Sequence, residues 1–332
     1  MSGGKPTYVQ ISKATGISIS TISRVMNNNP NVSEATREKV LKAMEESGMD
    51  TSSVQLLPET NYKLILFNVP SMRNIFYSPI ITSAKRAAAN YGYSMVVDEN
   101  PLADIDSFLP VLRHSQVAGV ISTSPIQEES RRKITAVCPL VLCCEGGLGI
   151  EDVPYVAVNN ESAALGAVRY LLSLGRRKVA MLNGPGNYIY SRDRFSGYRK
   201  ALEEAGLSLD MELVASVGAD MDFDMAKAAA LRMLNSPERP DAFFCISDVL
   251  ASAVIRACHE LGLGVPGDVA VVGFDDLILA PAMNPSITTV RQPCAQLGAL
   301  AAEMLIRLLR GDKPVNSMLL GTELIIREST TL

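Results

Sequence analysis

Two rhythms of apolar and polar residues divide the chain. Over "TYVQISKATGISISTISRVMNNNPNVSEATREKVLKAMEESGM", which starts at Thr7, apolar positions fall at Val9, Ile11 and Ala14, then Ile17, then Ile22, Val25 and Met26, then Val40, Leu41 and Met44. This spacing predicts three short helical faces, interrupted at Gly16 and again from Asn27 to Pro30. Three such helices can share one small core. Thr7, Ser18 and Ser33 each precede a periodic segment, where a hydroxyl can accept a bond from an orphan amide.

From Lys63 onward, short apolar runs alternate with helical segments instead. "LILFNV", "YSMVVD", "GVIS" and "PLVLCC" are separated by "SPIITSAKRAAANYG", "DIDSFLPVLRHS" and a helix near Gln127 to Ala136. The order then repeats through "KVAML", "ELVASVG", "AFFCIS" and "VAVVGF" with helices between them. Two βα-repeated lobes are predicted, each a doubly wound parallel sheet, because parallel strands need right-handed helical crossovers. Ligands of such sheets sit beyond the carboxyl ends of the strands. The walls of a cleft between the lobes are therefore expected in residues 68–78, 122–125, 143–152, 183–194, 218–223, 246–248 and 273–283.

Composition fits this division. At 332 residues the chain exceeds one ordinary core, and two or three domains are expected. Hydrophobic residues make up 47%, aromatic residues only 5% and Trp is absent, so the core must be aliphatic, as suits buried parallel sheets. The opening "MSGGKPTYVQ" has one Lys and no apolar run, so neither a secretory signal nor a membrane span is expected, and the protein is expected to stay in the cytoplasm. Cys138, Cys143, Cys144, Cys245, Cys258 and Cys294 show no metal-ligand spacing and read as reduced, mostly buried small hydrophobes. No metal and no cofactor are expected.

Charge changes the picture locally. The whole chain carries a net charge of -4, whereas residues 5–42 carry +4. A helix ending at a glycine turn, followed at once by a capped second helix, is the helix-turn-helix arrangement, whose second helix enters the DNA major groove. If Ile22 and Val25 point inward, Ser18, Ile19, Ser20, Ser23 and Arg24 point outward. They offer hydroxyls to base edges, an apolar contact to thymine, and a guanidinium to guanine or phosphate. An accessory cap of three helices with Arg24 as a solvated charge is the alternative.

Elsewhere the chemistry lacks a catalytic set. "GLGVPG", Gly262 to Gly267, matches G-x-G-x-x-G, but a helix precedes it and a strand follows, the reverse of a dinucleotide site. His114 and His259 fall in or at the ends of predicted helices, away from the strand-end loops. Asp275 and Asp276 could form a general acid and base, yet in a polar cleft carboxylates more often accept from the hydroxyls of a sugar or ribose.

"ISISTISRVMNNNPNVSEATREKV" resembles the amino-terminal signature of the lac-repressor family of bacterial transcription regulators, in which Val-Ser-x-x-Thr-Val-Ser-Arg-Val precedes Asn, Val-Ser and Thr-Arg. The resemblance implies that Ile19, Ser20 and Arg24 read bases while Thr7, Ser18, Thr21, Ser23, Asn27 and Asn31 position phosphates. It also implies a hinge with a leucine wedge for the minor groove. Here "DTSSVQLLPETNYK" lacks the family's Pro-Asn and Ala-Arg-x-Leu, so the wedge is Leu56 or Leu57 by position, and a plain linker with two exposed leucines is the alternative.

The remainder resembles the same family, whose core is like the periplasmic sugar-binding fold. "NGPGNYIYSRDRFSGYRKAL", "CISDVLASAV", "VPGDVAVVGFDD", "PSITTVRQP" and "ELIIREST" follow in the usual order. By position Arg194 would hold effector hydroxyls or carboxylate, Asp275 would accept from hydroxyls, and Phe76, Tyr77 and Phe223 would form aromatic walls. Ser247 stands where many members have Asn, and Cys144-Glu145 where many have Asp; Ser247, Glu145 and the ending are closer to the cytidine-responsive branch.

The expectation is a helix-turn-helix domain over 1–49, a hinge over 50–62 and a core over 63–332. Lobe one would take about 63–159 and 291–320, lobe two about 160–288 and 321–332. The resemblance implies a regulator, a repressor rather than an enzyme, that binds a near-palindromic double-stranded DNA operator as a homodimer or tetramer. A sugar or nucleoside-like effector would control it, with no membrane involved. A small-molecule-binding protein of the same core without operator specificity is the alternative, and a phosphorylated partner protein as co-signal is a variant of the first reading.

Overall fold

The computed structural model describes residues 7–26, 32–47, 63–99, 105–147, 150–312 and 314–331. Asn27, Asn31, Leu56, Leu57 and the hinge over 50–62 lie outside them. Contacts divide the chain into two compact units, 1–61 and 62–332.

The first unit is three helices, α1 (Tyr8–Thr15), α2 (Ile19–Met26) and α3 (Glu34–Glu46). Ile11, Ile22, Val25, Val40, Leu41 and Met44 form its core. Val9 and Ala14 are exposed, contrary to the apolar spacing; Ile11 and Thr15, four residues apart, hold the inner face of α1. Thr15 stays inside because its hydroxyl donates to the Ile11 carbonyl at 2.8 Å. Gly16 closes α1 with a φ of 73°, a left-handed turn that a side chain would strain, and its N–H donates to the Ser12 carbonyl. Ser18 then caps α2 by accepting from the Thr21 N–H at 3.2 Å. Ser33 precedes α3 as expected, but its hydroxyl meets the Thr36 hydroxyl at 2.8 Å rather than a backbone amide.

The second unit holds two six-stranded sheets. The first contains β1 (Lys63–Asn68), β2 (Tyr93–Asp98), β3 (Val117–Ser122), β4 (Leu140–Cys143), β5 (Tyr155–Val158) and β11 (Met318–Leu320), in the order β11-β5-β4-β3-β1-β2, all parallel. The second contains β6 (Val179–Asn183), β7 (Val214–Ser216), β8 (Ala242–Cys245), β9 (Ala270–Asp275), β10 (Thr288–Arg291) and β12 (Glu323–Ile325), in the order β12-β10-β9-β8-β6-β7. Here β12 runs antiparallel to β10, which departs from the all-parallel expectation. Only Gly321 and Thr322 separate β11 from β12, so the chain reaches the second sheet without the helical crossover that a parallel strand needs.

Helices cover both faces of the first sheet. Ile65, Phe67, Ile121 and Val141 face α4 (Tyr77–Ala89) and α12 (Cys294–Leu309), while Leu66, Val120 and Leu140 face α5 (Ile105–His114) and α6 (Glu128–Thr135). In the second lobe α7 (Asn160–Ser173) packs on α8 (Ile189–Glu204), and α9 (Phe223–Leu234) on α10 (Asp248–Glu260). The α4–α12 crossing is close because Gly298 has no side chain: a Cβ there would lie 2.1 Å from the Ile80 carbonyl oxygen.

The chain passes between the sheets after β5, after β10 and after β11. No helix among the described residues is long and apolar enough to cross a membrane. "GLGVPG" follows the carboxyl end of α10, with Gly262 left-handed at a φ of 69°. Between Gly264 and Asp268 the turn closes on itself, the Asp268 carboxylate accepting from the Gly264 N–H at 2.7 Å.

Candidate functional site

On the first unit, α2 buries Ile22 and Val25 and turns Ile19, Ser20 and Arg24 to solvent, with Ser18 exposed at its start. Thr21 and Ser23 are half-buried, and Thr7 is exposed ahead of α1. The hydroxyls of Ser18, Ser20 and Thr21 are linked, each pair involving Ser18 at 2.9 Å, so the amino end of α2 presents an organised set of donors and acceptors. Gln10 reaches back to accept from the Thr7 N–H at 2.9 Å and fixes the entry to α1. This is the surface that a nucleic-acid groove requires: a short helix with small polar residues, one apolar side chain and a guanidinium on its open face.

On the second unit, the strand-end loops line a narrow, partly open cavity. Its lining includes Phe76 and Tyr77 from the first lobe's β1–α4 loop and helix, Glu145 after β4, Tyr190 and Arg194 on α8, and Asp275 at the end of β9. Phe76 and Tyr77 meet edge to face at 5.3 Å. Asn74 sets them in place: its Oδ1 accepts from the Phe76 N–H at 3.1 Å, and its Nδ2 donates across the cleft to the Ala219 carbonyl at 3.2 Å.

Arg194 is buried, with a network that fixes its plane. Its Nε donates to Asn160 Oδ1 at 2.9 Å, its Nη1 donates to the Ile246 carbonyl at 2.7 Å, and the guanidinium lies 3.5 Å from the centroid of the Phe274 ring. Asp275 Oδ1 is 4.0 Å from Nη1. The Asp275 carboxylate accepts from Gln292 Nε2 at 2.7 Å and from Ser247. Burial nevertheless pushes its pKa up to about 7, against the opposing pull of Arg194, Gln292 and Ser247. Asp275 has a φ of 104° and Asp276 a φ of 58°, a strained pair of left-handed residues. Asp276 is turned to Arg291 at 2.6 Å and Arg327 at 2.7 Å, so the two carboxylates do not share one proton-transfer site.

Glu145 is the other acid in the cavity, 2% exposed. Its Oε2 accepts from the Ile189 N–H at 3.1 Å at the amino end of α8, where the neighbouring Tyr190 N–H also favours the charged form. Burial outweighs these bonds and raises its pKa to about 7. Among the described residues, Glu145 Oε1 and the Tyr190 hydroxyl are the buried side-chain polar atoms that have no hydrogen-bond partner, and both residues line this cavity.

Two residues expected in the cleft fall outside its lining. Ser247 is buried behind Asp275, where it caps α10 by accepting from the Val249 N–H at 3.3 Å and supports the aspartate. Phe223 begins α9 and is 37% exposed; the preceding turn places Met221 in the cavity instead. Conversely, Asn160 and Gln292 line the cavity although neither stands in an expected strand-end loop. Both follow strands from which the chain crosses to the other sheet, and that crossing brings them to the cleft. Asp248 is a further hidden part: it accepts from the Leu277 N–H at 2.7 Å and from the Thr289 hydroxyl at 2.5 Å, and so clamps the turn after Asp275.

Comparison with known proteins places both units. Residues 9–51 match the family described as bacterial regulatory proteins, lacI family, and residues 168–330 match a periplasmic binding protein-like domain. The chain is 31% identical over 340 residues to the HTH-type transcriptional regulator DegA of Bacillus subtilis, covering 98% of each chain. It is 30% identical to the HTH-type transcriptional repressor CytR of Escherichia coli, covering 98% of this chain and 96% of that one. The solved structure of a transcriptional regulator CelR–cellobiose complex superposes with a TM-score of 0.73 at 28% identity, covering 98% of this chain and 99% of the other. From α2 of the first unit to the closing strands of the second, the chain belongs to the lac-repressor family of DNA-binding transcription regulators.

Proposed function

We propose that this regulator is a repressor that binds a near-palindromic operator as a homodimer, under the control of a small polar metabolite held in the cavity between its lobes. Ile19, Ser20 and Arg24 read base edges, and Thr7, Ser18, Thr21 and Ser23 position the phosphates. One small helix-turn-helix unit covers a single half-site, so tight and specific binding calls for two copies. The exposed face of α2 supports this assignment.

The observation that carries the effector reading is the pair of unpartnered buried atoms, Glu145 Oε1 and the Tyr190 hydroxyl, in a cavity that also presents Asp275 and Arg194. Buried polar groups normally find partners, and a hydrogen-bonding ligand supplies them here. Phe76, Tyr77 and Tyr190 give it apolar walls. A sugar or nucleoside has both the hydroxyls and the flat or ring faces that such a site accommodates. The related regulator in complex with cellobiose supports a polyol-like ligand for this core. The effector acts by binding one lobe arrangement better than another, since equal affinity for both shifts nothing. A coupling of about 1 to 3 kcal/mol changes operator affinity roughly 5- to 150-fold.

Calorimetric titration of the full chain with neutral sugars and nucleosides tests the cavity. Saturable binding that Asp275→Asn weakens supports the reading; saturable binding indifferent to Asp275→Asn and Arg194→Met places the effector elsewhere.

A further inference from the structure

The cavity holds more acid than base. Glu145 and Asp275 both present carboxyls to it, against one guanidinium, Arg194. Arg194 is committed to Asn160, the Ile246 carbonyl and the Phe274 face, with Asp275 as the nearest acid. Beside Glu145, Arg192 and Asp193 oppose each other in charge; Arg192 is exposed and donates to the Gly186 and Asn187 carbonyls. The acid left without a buried basic partner is therefore Glu145, whose Oε1 is buried and unpartnered.

Resting on the reading that this cavity takes a polar metabolite, we propose that the effector carries an amino group that donates to Glu145 Oε1, and that phosphorylated and carboxylated metabolites are excluded. An amine supplies the missing N–H donor and, when protonated, the missing positive charge. A hydroxyl supplies only the donor. A phosphate would bring further negative charge against two buried acids. The Phe76, Tyr77 and Tyr190 rings accept the face of either an amino sugar or an aminated nucleoside. The two sources differ in proton exchange: an ammonium ion holds Glu145 ionised, so its binding at neutral pH releases a proton from a carboxyl held near about 7, whereas a neutral amino base does not demand this.

Matched pairs test the proposal on the full chain by calorimetry in two buffers of different ionisation heat: glucosamine against glucose, cytidine against uridine, and adenosine against inosine, with glucose 6-phosphate and cytidine monophosphate as anions. The expected result is that the amino member of a binding pair binds about tenfold or more tighter. Glu145→Gln abolishes that preference, and the anions bind more weakly than their neutral parents. A hydroxyl or keto member that binds as tightly as its amino counterpart overturns the amino assignment while leaving the cavity reading intact. No saturable binding by any member overturns both. Thermal unfolding checks that Glu145→Gln is folded; if it is not, the matched pairs on the parent chain decide.

Discussion

Two arginines show how environment assigns work to one side chain. Arg24 is exposed in the last turn of α2, free to meet a base edge or phosphate, whereas Arg194 is buried against Asn160, Ile246 and Phe274, which fix its plane in the cavity. Arg24→Ala is expected to weaken operator binding by about 1 to 3 kcal/mol with unfolding unchanged; anisotropy titration showing parental affinity contradicts the role given to Arg24. The acids make a pH prediction. Burial raises Glu145 and Asp275 to about 7, well above an unfolded carboxylate, so between about pH 4 and 7 the native state binds more protons than the unfolded chain. These two groups therefore cost stability increasingly as pH rises through that window, by up to about 3.5 kcal/mol for Glu145 and about 4.5 kcal/mol for Asp275 above it. Glu145→Gln should raise the melting temperature relative to the parent more at pH 8 than at pH 5; an equal offset at both contradicts the raised pKa. Motif positions made Phe76, Tyr77, Glu145, Arg194 and Asp275 legible in the sequence. Asn160 and Gln292 were not, because their place in the cleft depends on where the chain changes sheets, and no residue type marks that.

At the scale of elements, local spacing was a good guide wherever one face decided the outcome. The helix α2 emerges from Ile22 and Val25, and the central strands emerge from continuous apolar runs such as "LILFN", because each is set by burial that neighbouring residues already encode. The antiparallel β12 was not legible: its direction is set by a two-residue link from β11 and by its partner β10, far away in sequence. Nor was the outward turn of Val9 and Ala14, since Thr15 is held inside by a hydrogen bond that spacing does not reveal. Two glycines separate packing from backbone strain. At Gly298 a Cβ would strike the Ile80 carbonyl, so Gly298→Ala is expected to lower stability by about 1 to 3 kcal/mol in urea unfolding. At Gly16 nothing lies within 4 Å, and Gly16→Ala should cost only the left-handed penalty of about 1 to 2 kcal/mol, confined to the first unit. Loss of Gly298→Ala stability no greater than a surface substitution would contradict the close α4–α12 crossing.

For the whole molecule, the distribution of charge is informative: residues 5–42 are +4 within a chain of -4, so electrostatic attraction to a polyanion is concentrated in the segment that contains α2. We propose that the first unit recognises DNA, the second senses the metabolite, and two copies acting on one operator give specificity. The measurement that tests this most directly is selection of bound duplexes from a random DNA pool by the purified full chain at near-physiological salt, repeated in the presence of sugars and nucleosides. The expected result is enrichment of a two-fold symmetric site whose recovery changes with a metabolite. Enrichment of a single asymmetric half-site, or no enrichment by folded protein under any of these conditions, would contradict it.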